Sequence, residues 1–462
     1  MKRIFNQEAK DLINQEVVLA GWVNSRRDHG QIIFIDLRDR TGLMQLVFSP
    51  SEKEVYKLAD TLRPEWVIEI KGIVNRRPKG MENNKLSTGQ VEVLVNKIKI
   101  LSQSKTLPFP IETDGYEISE DKRLKYRYLD MRRERIKNNL ILRYQWQSYI
   151  RDFLKKKGFI EIETPILTKS TPEGARDFLV PSRLHLGKFY ALPQSPQQYK
   201  QLLMIAGLER YFQFARCFRD EDIRADRGLE FTQIDIEMSF VSQEDILNLV
   251  EEMVIKVSEE VLNKKIQEKP FPRITYHEAM DKYKVDSPDL RQEPKDDNLL
   301  SYVWVVDFPM FEKKDDGSIG PCHHPFTAIH PDDIDLLNLK GEEIFKIRAQ
   351  QYDLILNGCE VFGGSIRTTN PKILSKVFEI LGYSKNEIKN RFGHLLKSFE
   401  YGVPPHGGIA GSDRWLQVML NEPSIREVIP FPTTGSGITA VMEAPNEVDK
   451  EQLEELHIKI IK

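Results

Sequence analysis

The chain reads as an α+β protein in two parts, a small β-barrel at the N-terminus and a larger domain that mixes strands with amphipathic helices. Three observations predict this. Residues 16–102 break into five short runs rich in β-branched residues, separated by Gly and Asp/Arg turns, with one helix-like piece after the third. Residues 139–158 and 245–261 carry apolar side chains at three- and four-residue spacing, as core-facing helices do. Between those helices, Phe214–Phe240 (FARCFRDEDIRADRGLEFTQIDIEMSF) is apolar at both ends and densely charged in the middle. That pattern predicts two antiparallel strands joined by a charged loop, the second strand alternating through Phe231, Ile234, Ile236, Met238 and Phe240.

The 462 residues suffice for two or three domains and a large core. No apolar run approaches membrane-spanning length, and MKRIFNQEAKDLINQE lacks the apolar centre of a signal peptide, so a cytoplasmic protein with no membrane partner is expected. Cys217, Cys322 and Cys359 are far apart, which argues against disulfides and against zinc. A net charge of −3 argues against binding nucleic acid by bulk charge but leaves room for local basic patches.

In order, the predicted barrel strands are Val17–Val23, Ile32–Leu37, Leu43–Phe48, Trp66–Val74 and Val91–Ile100, with a helix near Ser51–Leu62. Five strands with a helix after the third suggest a Greek-key barrel of the OB type, a fold that stacks bases on aromatics beside basic groups. Arg26, Arg27, Phe34 and Gln45 could do this, or Phe34 could simply fill the barrel core. Prolines 108 and 110 then mark a linker. Lys122, Arg123, Lys125, Arg127, Arg132 and Arg133 follow as a basic cluster, either solvated or in contact with phosphates. The helix 139–158 carries Leu142, Trp146, Tyr149, Ile150, Phe153 and Leu154 on one stripe and ends at Gly158, with a strand expected over Phe159–Glu163 before Pro165.

STPEGARD reads as a loop around Glu173, and Ser195, Gln197 and Lys200 cluster at the start of a helix beginning at Gln197. VWVVDFPMF reads as a buried strand. His323 and His324 are adjacent and on a strand would face opposite ways, so one metal would not take both. Phe345–Gln350 alternates as a half-buried strand would. Asp353 and Glu360 flank an Asn357-Gly358 turn, either as plain surface acids or as a pair holding Mg²⁺, and Gly363 and Gly364 leave backbone room for a ligand.

Longer strings say more than these local patterns. FRDEDIRADRGLEFTQID resembles motif 2 of class II aminoacyl-tRNA synthetases, and the helix, strand and Pro165 resemble motif 1. YGVPPHGGIAGSDRWLQVMLNEPSIREVIPFP resembles motif 3. GWVNSRRDHGQIIFIDLRDRTGLMQLVF looks like the anticodon-binding barrel of aspartyl-, asparaginyl- and lysyl-tRNA synthetases, and STPEGARDFLVPSR and LPQSPQQYKQLLM match the aspartyl enzymes. The resemblance implies an OB-fold anticodon-binding domain (1–104), a hinge (105–138) and a class II catalytic domain (139–462) built on an antiparallel sheet flanked by helices. Bacterial aspartyl enzymes usually carry an inserted domain after PDLR; here only a short loop of about residues 291–300 stands in that place.

The implied enzyme is an aspartate-tRNA ligase that forms aspartyl-adenylate from L-aspartate and ATP and charges tRNA-Asp. His29, where many strictly tRNA-Asp-specific relatives carry Leu, extends the expectation to tRNA-Asn by the same resemblance. Arg219 is the implied catalytic residue, touching both ATP and aspartate. Aspartate would further meet Glu173, Ser195, Gln197, Lys200, Asp235, His323 and Arg367, with Lys200, Arg367 and His323 forming a positive pocket that disfavours neutral asparagine. ATP would meet Asp220, Glu221, Glu360, Gly411, Ser412, Asp413 and Arg414, with Mg²⁺ on Asp353 and Glu360. Arg26, His29, Phe34, Gln45 and Glu92 would face the anticodon, and motif 1 would build a homodimer.

Two features depart from the family. Motif 3 is one residue short between His406 and Arg414, which calls for a bulge or a shift of the glycine contacts, and Gly228 stands where Gln is common. These departures support one alternative, a catalytically impaired RNA-binding paralogue; an asparaginyl-tRNA synthetase-like relative with the same core is the other.

Overall fold

The computed structural model describes every residue except 1, 171–174, 293–294, 315, 339–340 and 462. It divides into two units, Met1–Pro110 and Ile111–Lys462.

The first unit is a closed barrel of strands β1 (Glu16–His29), β2 (Ile32–Asp39), β3 (Gly42–Phe48), β4 (Val67–Arg76) and β5 (Val91–Ser102), in the order β1-β2-β3-β5-β4. Helix α1 (Lys53–Thr61) follows the third strand. Alternation closes it: Val17, Leu19 and Val23 of β1 meet Ile33, Ile35 and Leu37 of β2 inside. Each such side chain contributes about 1.5–3 kcal/mol by leaving water. That register turns Phe34 outward, between Arg27 on β1 and Val47 on β3, so it does not belong to the barrel core.

The second unit is built on an eight-stranded sheet of β6 (Ile160–Glu161), β7 (Arg210–Phe218), β8 (Glu230–Ser239), β9 (Arg273–Thr275), β10 (Tyr302–Val306), β11 (Gln351–Leu356), β12 (Cys359–Ile366) and β13 (His406–Ser412). The order is β9-β10-β11-β12-β13-β8-β7-β6. All neighbours are antiparallel except the outer pairs β9–β10 and β6–β7. Helices α2 (Glu134–Lys156), α3 (Gln197–Ile205), α4 (Gln243–Lys256), α5 (Pro371–Ile380), α6 (Lys385–Ser398) and α7 (Asp413–Met419) flank it. One core joins Trp146 and Ile150 of α2, Ile234 and Ile236 of β8, Val250 of α4 and Trp415 of α7. Since Ile234 and Ile236 take that face, Phe231, Gln233, Asp235 and Glu237 take the other. Phe231 therefore faces away from the isoleucines with which it was grouped, and Phe240 lies beyond the strand at a positive φ of 58°.

Several local expectations are corrected. The strand after Gly158 shrinks to β6. Residues 345–350 are not a strand: Gly341–Lys346 is a 3₁₀ helix, which brings Ile344 and Ile347, three apart, into one apolar cluster. His323 and His324 lie in a bend, where strand alternation does not apply, and their rings stand 4.6 Å apart. Half of the basic hinge cluster is neither solvated nor open to phosphate. Arg123, Arg127 and Arg133 are buried, and Asp130 takes Arg127 and Arg133 at 2.7 Å each, while Glu427 takes Arg123 at 2.7 Å.

Residues 267–298 run between two short strands that pair with each other, and they include β9 of the sheet and the helix Tyr276–Tyr283. Lys265–Ile266 pairs in parallel with Leu299–Leu300, and the Asn357 side chain ties both Leu299 and Ser301.

Candidate active site

The polar face of the sheet opens into a cleft of about 330 Å³. It is lined by Ser195, Gln197, Lys200, Arg219, Glu221, Asp235, His323, Glu360, Arg367, Gly411, Ser412, Asp413 and Arg414, which is most of the set expected from sequence. Glu173 lies outside the described residues. Asp220 does not line the cleft; its carboxylate pairs with Arg176 at 3.3 Å.

At the floor, β8 aims Asp235 and Glu237, both without exposed surface, at two cations. Lys200 Nζ donates to Asp235 Oδ1 at 2.9 Å and stands 3.5 Å from Glu237 Oε2. Arg367 donates to both Glu237 oxygens, at 2.9 and 3.0 Å. Two buried cations thus face two buried carboxylates, so the floor is charge-balanced rather than the positive pocket expected. Arg367 and Lys200 hold Glu237 below its usual range despite burial, whereas burial pushes Asp235 up. Asp235 Oδ2 and Gln197 Nε2 are buried without a hydrogen-bond partner. An orphaned carboxylate oxygen and an orphaned amide N–H in one cleft are costly unless a ligand supplies the missing donor and acceptor.

His324, absent from the expected set, meets Arg367 Nη1 at 2.7 Å through Nε2. Only the bend at residues 322–325 brings it to the cleft, so no periodicity could have found it. Desolvation and then the fields of Arg367, Lys200 and Arg219 push His323 down to about 3. As that ring remains exposed to the cleft, the cationic field is the firmer cause.

Near the rim, Arg219 lies over the Phe231 ring at 5.1 Å and donates to the Gln194 carbonyl at 3.3 Å. Arg414 pairs with Asp226 at 3.1 Å and donates to the Glu360 carbonyl at 3.1 Å. No bulge absorbs the short motif 3: β13 pairs without a shift from Ser412 to His406 along β8 and from Gly411 to Gly407 along β12. Asp413 borders the cleft, but its carboxylate is spent inside the protein, on Arg143 and on the Thr232 N–H.

Asn357 and Gly358, both with positive φ, make the tight turn joining β11 to β12, and a bulge lies between Leu354 and Ile355 in their register. Gly363 then sits opposite Asp353, and a Cβ there would fall 3.0 Å from Glu360 Oε1 and 3.1 Å from Asp353 Oδ1. The missing side chain lets the two carboxylates converge. Burial and Glu360 push the Asp353 carboxyl well above its ordinary value, as two acids without a cation should behave. Two converging carboxylates fit Mg²⁺, which keeps several waters and shares substrate phosphates. Gly364 faces the other way; a Cβ there would strike the Gly408 carbonyl at 2.3 Å, so sheet packing rather than ligand room demands it.

On the barrel, Arg27 bonds Asp36 at 2.9 Å and Gln45 at 3.3 Å, and Gln45 bonds Glu92 at 2.8 Å. With Phe34 these form one outer face. Arg26 points elsewhere, to Asp28 and Asp60, and His29 is exposed at the end of β1.

Residues 119–435 match the family of class II tRNA synthetases (D, K and N), and residues 17–101 match the OB-fold nucleic acid binding domain. The chain belongs to the class II tRNA synthetases. An Aspartate–tRNA(Asp/Asn) ligase of Dictyoglomus turgidum is 43% identical over 97% of this chain and 96% of its own length. One of Syntrophomonas wolfei is 41% identical over 100% of both. The first alignment runs to 574 positions, more than the 462 residues of this synthetase, so that relative carries a long stretch without counterpart here. The fold also matches that of asparaginyl-tRNA synthetase from Pyrococcus horikoshii complexed with asparaginyl-adenylate, with a TM-score of 0.76 at 23% identity over 94% of this chain and 98% of that one. Among the described residues, no helix is long and apolar enough to cross a membrane.

Proposed function

We propose that this synthetase is an aspartate-tRNA ligase that activates L-aspartate with ATP and passes the aspartyl group to tRNA-Asp and tRNA-Asn. The observation that carries the reading is the floor of the cleft: Lys200 and Arg367 on Asp235 and Glu237, with Asp235 Oδ2 left over. In this reading Asp235 Oδ2 takes the aspartate ammonium with help from Ser195 and Gln197, and Glu173 is a further contact implied by the family resemblance. Lys200 and Arg367 donate to the side-chain carboxylate, bordered by His323. Both can only donate, so the amide nitrogen of asparagine would meet donors with a donor. Selectivity then comes from that mismatch rather than from uncompensated charge.

Arg219 holds the aspartate α-carboxylate against the α-phosphate of ATP. A carboxylate oxygen attacks phosphorus, pyrophosphate leaves, and the terminal ribose hydroxyl of the tRNA then takes the acyl group as AMP leaves. Positioning and charge neutralisation carry such a reaction without a protein nucleophile. Glu221 contacts adenine, Gly411 and Ser412 border the nucleotide, and Arg414 lies on it. Asp353 and Glu360 would hold Mg²⁺, which supplies further neutralisation of phosphate charge.

Phe34 stacks on an anticodon base while Arg27, Gln45 and Glu92 meet base edges, and His29 sets the wide tRNA range. A homodimer covers the exposed Ile141 and Tyr144 of α2 and Ile160 of the edge strand β6. The short loop at 291–300 replaces the inserted domain.

Arg219→Ala is expected to lower aspartate-dependent pyrophosphate exchange by roughly 10²-fold or more. Near-normal exchange would refute the assignment. Charging of purified tRNA-Asp and tRNA-Asn in parallel tests the range, and no aspartyl-tRNA-Asn would remove the second substrate.

A further inference from the structure

We propose that Arg143 is a positioning residue for the ATP half of the site, acting through Asp413 on Arg414; the proposal rests on the ligase reading above. Helix α2 carries Arg135, Asn139 and Arg143 at four-residue spacing, hence on one face. That face is matched by the segment that follows β13. Arg135 bonds Glu422 at 2.5 Å and Glu427 at 2.9 Å, Asn139 bonds Glu422 at 2.6 Å, and Arg143 pairs with Asp413.

Asp413 is 1% exposed and opens helix α7. Its other oxygen accepts the Thr232 N–H of β8 at 3.1 Å, so one carboxylate ties three elements together. Arg414, the next residue, reaches the cleft. The same segment fixes the charged loop between β7 and β8. Ser424 Oγ and the Ile425 N–H both donate to the Ala225 carbonyl at 2.9 Å, and Arg426 donates to the Arg224 carbonyl at 3.0 Å. Asp226 of that loop in turn pairs with Arg414. Thus α2, which lines no part of the cleft, sets both sides of the Arg414 contact.

The aspartate floor is held differently. Asp235 and Glu237 lie further along β8, fixed by backbone ladders with β13 and β7 on either side. Removing Arg143 leaves a buried carboxylate without its cation, and the first turn of α7 is what can shift to relieve it. The cost falls on ATP and spares aspartate. A residue that only stabilised the fold would raise both KM values or neither.

The test is pyrophosphate exchange by the full chain with Arg143→Lys, Arg143→Gln and Arg143→Met. The KM for ATP is expected to rise in that order, to roughly tenfold or more in Arg143→Met, while the KM for aspartate stays within about twofold. If Arg143→Met does not fold, the same split in Arg143→Gln decides. An unchanged KM for ATP in every folded variant, or matched rises for both substrates, overturns the proposal. Absence of aspartate-dependent exchange in the unaltered protein would instead overturn the ligase reading.

Discussion

Asp353 shows how one residue can be a liability that a bound cation would correct. A carboxyl whose pKa is raised on folding adds stability below its unfolded value, near 3.8, and that contribution is lost as pH rises through the folded value. At neutral pH the converging pair with Glu360 therefore weighs against the fold, and a divalent cation held there would reverse the sign. Mg²⁺ is expected to raise the unfolding midpoint, more at pH 8 than at pH 6, through a stability gain of up to about 2.7 kcal/mol at a hundredfold excess over Kd. Asp353→Asn should remove most of this increment in a thermal scan. Gly228 offers a converse test. A Cβ there would meet the Glu230 carbonyl and Ile425 at 3.6 Å, ordinary contact, so Gly228→Gln should fold normally. It should also lower the KM for ATP by giving the cleft another hydrogen-bonding group; an unchanged or higher KM would show that the glycine is not a deficit.

Among the elements, β8 was the most legible in sequence and also the most misleading. Period-two alternation correctly separates Gln233, Asp235 and Glu237 from Ile234, Ile236 and Met238. It cannot say that the polar side is a closed floor rather than a wet surface, because both are polar. Barrel strands were legible for the same reason, yet whether Phe34 lay inside or outside depended on a register that hydrophobicity alone left open. The hinge arginines were opaque because their partners are distant in sequence: Arg123 finds Glu427 304 positions away. Sheet packing yields a sharp prediction at Gly364. Gly364→Ala forces β12 away from β13, and a loss of stability of about 1–3 kcal/mol is expected. Denaturant unfolding measures this, with Gly393→Ala, on the open side of α6, as a tolerated control.

For the molecule as a whole, acid tolerance should be set by histidine before the carboxylates. His406 has no exposed surface, and burial lowers its pKa from 6.5. A depressed folded pKa means stability that is present above the unfolded value and lost as pH falls below it. Each such group steepens the loss by up to about 1.4 kcal/mol per pH unit. The unfolding midpoint should therefore start to fall below about pH 6.5. His406→Gln should flatten that fall relative to its own value at pH 8. Size-dependent properties belong to the same scale. The parallel pair Lys265–Ile266 with Leu299–Leu300 brings the two ends of 267–298 together, Asn357 ties the later end, and β9 in between returns to the sheet beside β10. The sheet is held by β9 before the stretch that follows Tyr283 and by β10 after it, so that stretch can lengthen cheaply, since closing a longer loop costs only about 0.6 kcal/mol per doubling. A longer insert placed after Tyr283 would therefore leave β9, β10 and the cleft beyond them in place.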